Sequence, residues 1–155
     1  MPHIHEKIDF TAEVFIIHQN HVLLRLHDKY NLWLSVGGHI ELDEDPMETA
    51  TREVLEEVGL EIKLIGEIIQ TEQTSVGYKE LLPPRFMNRH RINETHEHIT
   101  FVYFAKSESD QVVVSGDDRS DDWKWFTLQD LEDPTYALQP SIKHYAQQAL
   151  KELAE

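Results

Sequence analysis

Residues 45–59 constrain the architecture more than any other stretch of the chain. Asp45 offers a side-chain acceptor for a helix N-cap, Pro46 fits the first helical position, and Glu48 stands where a capping box needs its acid. Met47, Ala50, Val54 and Val58 recur at helical spacing, and Gly59 supplies the C-terminal stop. At about 100° per residue, Glu53, Glu56 and Glu57 share one arc, and the apolar residues fall roughly opposite. Such a helix has to lay one face on another element while the other face concentrates negative charge.

The flanking sequence provides a sheet for that face. Residues 10–18 (FTAEVFIIH) and 21–26 (HVLLRL) are apolar, β-branched runs broken by Gln19-Asn20, the pattern of a hairpin. A third apolar stretch, 32–36, runs into Gly37-Gly38, where the backbone is free to turn sharply or be approached closely. Beyond the helix, residues 61–70 read as a strand and 75–95 as a long irregular insertion. Residues 99–105 read as a strand apolar on both faces, which belongs in mid-sheet. Residues 122–126 suggest a further short strand, and Thr127 with Asp130 a capped entry to a brief helix. Pro140 opens a last helix whose Ile142, Tyr145, Ala146, Ala149, Leu150 and Leu153 form one stripe. Trp33, Trp123 and Trp125 offer surfaces for stacking on a base, with packing in the core or on its rim the plainer alternative, and are left unassigned; His3 and His5 are expected exposed near the terminus. With no repeats and no Pro/Gly/Ser linker, the 155 residues predict one α/β domain over 1–155, a mixed β-sheet between helices.

Composition removes several classes of chemistry. The chain has no cysteine, which excludes thiolate nucleophiles, Cys-ligated zinc and disulfides. Neither a secretory leader nor an apolar run of membrane-spanning length is visible, so a cytoplasmic protein without a membrane partner is expected. Acidic residues number 29 against 14 basic ones, a formal net charge of −15, and such a surface repels extended nucleic acid. A small phosphate-bearing substrate is compatible with that charge where a divalent metal or a local Arg/Lys group reverses the sign.

Glu53, Glu56 and Glu57 crowd like charges into little more than one turn, which costs helix stability unless a cation lies among them. An all-oxygen ligand set suits hard Mg2+ or Mn2+ better than zinc, and the carbonyl of Gly37 or Gly38 would complete it. A solvated acidic helix face is the plainer alternative, and the cluster alone leaves both open.

The register of residues 38–60, GHIELDEDPMETATREVLEEVGL, narrows the choice. It resembles the Nudix box, G-x5-E-x7-R-E-U-x-E-E-x-G-U with U aliphatic, at every fixed position: Gly38, Glu44, Arg52, Glu53, Val54, Glu56, Glu57, Gly59 and Leu60. The similarity extends more loosely to the preceding strand and to Trp125-Phe126-Thr127. This resemblance implies a Nudix-type α/β/α sandwich. It also implies a Mg2+- or Mn2+-dependent hydrolase cutting a phosphoanhydride bond in a small-molecule nucleoside diphosphate derivative: a nucleoside triphosphate, a dinucleoside polyphosphate or a nucleotide sugar. Metal binding by Glu53, Glu56, Glu57 and the Gly37 carbonyl is implied with it. Arg52 and Glu44 would orient those ligands, since a guanidinium grips a carboxylate through two hydrogen bonds. An ordinary helical pair of Arg52 with Glu48 or Glu56 is the simpler alternative. Water would attack phosphorus in line, with Glu53 or Glu97 as base.

Glu97 lies in His96-Glu97-His98, where strand alternation points it away from both histidines and keeps the triplet from converging on one zinc ion. In residues 79–91, Lys79, Arg85, Arg89 and Arg91 stand against one acid, Glu80. This basic insertion is expected to reach over the site, Arg85 and Arg89 toward phosphate and Phe86 as a stacking surface, with a solvated loop as the alternative. Tyr78, eighteen residues after Leu60, resembles a tyrosine associated with diadenosine polyphosphate hydrolases. No proline typical of ADP-ribose hydrolases stands near Ser75 or Val76, and Val36 and Asp43 replace a proline and a glycine common in the family. None of these departures removes a metal ligand. A non-catalytic nucleotide sensor of the same fold tends to lose box carboxylates, which are all kept here. Isopentenyl diphosphate isomerases resemble a pattern with a catalytic cysteine, which is lacking. The substrate, the phosphorus attacked and a homodimer are left open.

Overall fold

The computed structural model describes residues 6–27, 29–114 and 122–155; His3 and His5 lie outside them. The strands are β1 (Ile8–His18), β2 (His21–His27), β3 (Leu32–Leu34), β4 (Val36–His39), β5 (Lys63–Leu64), β6 (Phe86–Asn93), β7 (His96–Lys106) and β8 (Asp122–Phe126). The helices are α1 (Pro46–Val58), α2 (Leu128–Glu132) and α3 (Pro140–Leu153). All eight strands join one mixed sheet, whose only parallel pair among the described residues is β1 with β7, in register from Ile8↔Glu97 to Ile17↔Lys106.

Alternation along β1 and β7 sends side chains to two cores. Ala12, Val14, Ile16, Tyr103 and Ala105 meet Ala50, Val54 and Val58 of α1. Phe15, Ile17, Val102 and Phe104 meet Ile142, Tyr145, Ala146, Ala149 and Leu150 of α3. The expected sandwich is therefore present, and each fully buried aliphatic or aromatic side chain contributes roughly 1.5–3 kcal/mol to it. The start of α1 is capped reciprocally: Glu48 N–H donates to Asp45 Oδ1 at 2.9 Å and Asp45 N–H to Glu48 Oε1 at 3.1 Å. Gly59 ends the helix at φ 67°, the left-handed conformation a stop requires. No helix among the described residues is long and apolar enough to cross a membrane.

Two expectations change. The strand foreseen over 61–70 shrinks to Lys63–Leu64, and the irregular insertion contains β6. Both follow from one edge of β7. Ile65 N–H donates to Phe104 O and Arg85 N–H to Val102 O, so β5 hands that edge to β6 between these carbonyls. The sequence hides β6 because it is an exposed edge strand; past Phe86 and Asn88 its residues face solvent and no apolar alternation marks it.

One feature of the topology prepares the site. β1 and β2 pair at Ile17↔Val22 and His18↔His21, and further along β2 pairs with β3 while β1 pairs with β4. The β3–β4 segment fills this fork, bringing Gly37-Gly38 between β1 and α1.

Candidate active site

The glycine pair is a requirement of close approach. A methyl at Gly37 would lie 2.2 Å from the Ala12 carbonyl oxygen, and one at Gly38 2.2 Å from Glu53 Oε1. With no side chain at Gly38, the Glu53 carboxylate reaches the strand and becomes 4% exposed. The wheel placed Glu53 on the charged face, opposite the packed one; in the structure it is buried between α1 and β4. Glu56 remains largely in solvent and Glu57 half-buried.

Arg52 organises the acids. Its Nε and Nη2 donate to the two oxygens of Glu44 at 2.6 and 2.8 Å, its Nη1 to Glu53 at 3.0 Å and to Glu56 at 3.2 Å, and its Nη2 to the His39 carbonyl at 3.3 Å. The helical pair with Glu56 coexists with the two-pronged grip on Glu44. Glu44 also accepts from Thr49 Oγ1 and Glu41 N–H. The Arg52 hydrogen bonds, outweighing burial, hold its pKa down to about 2. Burial pushes the Glu53 carboxyl up, against the opposing effects of its contacts with Glu57 and Arg52. The Arg25 guanidinium lies 3.1 Å from Glu57.

Glu44 gives a pH test. Its pKa is about 2 when folded and about 4.3 when unfolded, so its contribution is full above the unfolded value and is lost as pH falls through the folded one. Glu44→Gln is expected to cost on the order of 2 kcal/mol at pH 7 and to flatten the decline of stability between about pH 4.3 and 2. Urea unfolding at a series of pH values measures this, and parallel curves for the two proteins would refute it.

The other foreseen residues are scattered. Arg89 donates to Glu97 from Nε at 3.1 Å and Nη2 at 2.8 Å on the exposed edge, which pulls the Glu97 pKa down. Arg85 pairs with Glu152 of α3 at 2.9 Å and stacks on Phe86, whose ring packs on Tyr145 and Phe104. Tyr78 donates to Glu80 at 2.6 Å. Beside Gly37-Gly38 lies a cavity of about 280 Å³ lined by Glu13, Arg25, Ser35, His39, His90 and His98 among others. Ser35 Oγ donates to Glu13 at 2.6 Å, and burial raises the Glu13 pKa. Arg25, Glu13 and Ser35 went unforeseen, although single charges inside the apolar runs HVLLRL and FTAEVFIIH were a usable signal.

The chain is similar to known proteins along most of its length. The family model described as NUDIX domain matches residues 8–148. A solved structure of a Nudix-family hydrolase from Clostridium perfringens is 34% identical and superposes with a TM-score of 0.82, covering 93% of this chain and 97% of that one. A MutT Nudix hydrolase from Burkholderia pseudomallei shares the fold at 20% identity and TM-score 0.64, covering 96% and 100%. A protein of Lactococcus lactis subsp. cremoris (strain MG1363), described as a probable DHNTP pyrophosphohydrolase, is 24% identical over 112 residues. That match takes in 72% of this chain and 62% of the relative's length.

Proposed function

The chain belongs to the Nudix family, and we propose that it is a metal-dependent pyrophosphohydrolase cutting a phosphoanhydride bond in a nucleoside diphosphate linked to another group. The observation that carries this proposal is the gathering of Glu53 and Glu56 around Arg52 and of Glu57 against Glu53, with Glu53 seated against Gly38. Bringing Glu53 into contact with Glu57 in a largely desolvated place is unfavourable for carboxylates alone, and the oxygen donor set fits Mg2+ or Mn2+. Glu53, Glu56, Glu57 and the Gly37 carbonyl would hold the ion. A divalent cation there supplies charge neutralisation for the diphosphate and Lewis acidity toward the leaving phosphate.

The chain's own residues do the rest. Arg52, fixed by Glu44, holds Glu53 and Glu56 in place, and Arg25 does the same for Glu57. We assign the base to Glu53 rather than Glu97, because Glu53 lies within the carboxylate group while Glu97 is held in a pair with Arg89. Arg89 of the basic segment and Tyr78 just before it, both exposed, are the assigned substrate contacts; Arg85 and Phe86 pack toward α3 and would anchor β6. A cytoplasmic setting accords with the lack of cysteine.

The test is phosphate or nucleotide release from a panel of nucleoside triphosphates, DHNTP, dinucleoside polyphosphates, ADP-ribose and nucleotide sugars, with Mg2+, with Mn2+ and with chelator. Turnover of at least one compound that chelator abolishes is expected. Binding of a nucleotide with no turnover on any of them would replace the enzyme by a sensor.

A further inference from the structure

On the face of the sheet turned away from α1, Asp9, His39 and His98 converge, with His96 beside Asp9, and we propose that this group binds a transition-metal ion of the zinc class. This site is separate from the glutamates of α1 and does not depend on the hydrolase proposal. Pairing puts the four residues together: Asp9 is opposite His98 across β1–β7, Thr11 is opposite His39 across β1–β4, and alternation turns Asp9, His39, His96 and His98 to one side. Asp9 is fully buried, His96 is 3% exposed and His39 8%.

The spacing suits an ion. Asp9 Oδ2 lies 3.3 Å from His39 Nε2 and 3.2 Å from His96 Nε2, and one ligand atom each from Asp9, His39 and His98 fall within 4.8 Å of one another. Ligands held tetrahedrally about 2.0–2.1 Å from zinc stand roughly 3.3 Å apart, the spacing that Asp9 Oδ2 keeps from His39 and from His96. The His39 and His98 rings meet edge to face with centroids 4.9 Å apart, as do those of His96 and His98 at 5.1 Å.

The protons favour the same conclusion. His96 Nδ1 lies 3.1 Å from the Glu6 carbonyl, so it carries hydrogen and donates there. That leaves Nε2 as the ring nitrogen that faces the Asp9 carboxylate, at 3.2 Å. A ring nitrogen donating to a backbone carbonyl is also the usual outer support of a metal-bound histidine. Imidazoles with one carboxylate prefer zinc, cobalt, nickel or copper to magnesium, in contrast to the all-oxygen set on α1. The central carboxylate disfavours an anion. A bound ion would tie β1, β4 and β7 together at one wall of the cavity. Against it stands a buried Asp–His+ network in which an extra ring proton takes the ion's place.

Full-length protein stripped with chelator is titrated with Zn2+ by calorimetry and with Co2+ by visible ligand-field absorption, in excess Mg2+ to occupy the α1 glutamates. One ion per chain is expected. Its affinity should fall at least about tenfold in His98→Ala and in Asp9→Asn, and hold within roughly threefold in Glu57→Gln and in the double variant His3→Ala, His5→Ala. His98 is only half-buried, so His98→Ala keeps the test valid if Asp9→Asn fails to fold, which near-UV circular dichroism reports. Absence of Zn2+ and Co2+ binding, or binding lost with Glu57 or with His3 and His5 but kept in His98→Ala, overturns the proposal in favour of the protonated network.

Discussion

Replacing Glu57 by glutamine is expected to lower kcat at saturating Mg2+ by about 10²–10³-fold while leaving the protein folded. The amide keeps the shape of the side chain and an oxygen beside the Arg25 guanidinium, which lies 3.1 Å from Glu57 in an ion pair, so the packing between α1 and β2 survives. What disappears is a formal charge among three carboxylates. Divalent-metal affinity should fall with it, because a neutral amide is a poorer ligand for a hard cation. Steady-state kinetics across a Mg2+ titration, beside a thermal melt, separates the effects. A kcat within about threefold of wild type would make Glu57 merely the ion-pair partner of Arg25, worth roughly 0–1 kcal/mol at a half-exposed site.

The neighbouring glycines are expected to respond oppositely to the same added methyl. At Gly37 the methyl would meet the Ala12 carbonyl oxygen at 2.2 Å and Glu13 Cα at 2.8 Å, both backbone atoms of the paired strand β1. Neither can yield without breaking the β1–β4 pairing, so Gly37→Ala should cost more than about 3 kcal/mol and lower Tm by roughly 10 °C. At Gly38 the obstacle is Glu53 Oε1, the end of a side chain that can swing aside. Gly38→Ala should therefore keep most of the stability but push the carboxylate out of its contact with Arg52 Nη1 and reduce kcat on the order of tenfold or more. Melts and kinetics on the two variants test the contrast. Equal losses of Tm would mean that Glu53 is held as rigidly as the backbone.

These expectations mark how far local sequence reaches. The cap at Asp45, the stop at Gly59, the stripe of α3 and the two-faced character of β7 are repeated over three or four residues or alternate residues, so periodicity exposes them directly. The register of Gly38, Glu44, Arg52, Glu53, Glu56 and Glu57 is equally local, because one loop and one helix carry all of it; the Arg52–Glu44 grip follows from that stretch alone. By contrast, the burial of Glu53 depends on β4 crossing beneath α1, and Arg25 reaches Glu57 only because β1 and β2 part to open the fork. β6 exists because one edge of β7 is left to pair, a backbone demand that exposed polar side chains do not advertise. Asp9, His39 and His98 stand far apart in the chain and meet through strand register, which a sequence specifies through the whole core rather than at those positions. Local sequence suffices for the helix, its carboxylates and the family they signify. Which of those carboxylates is desolvated, which arginine holds each one, and which residues share the opposite face depend on the assembled fold, because such contacts join segments that no local period connects.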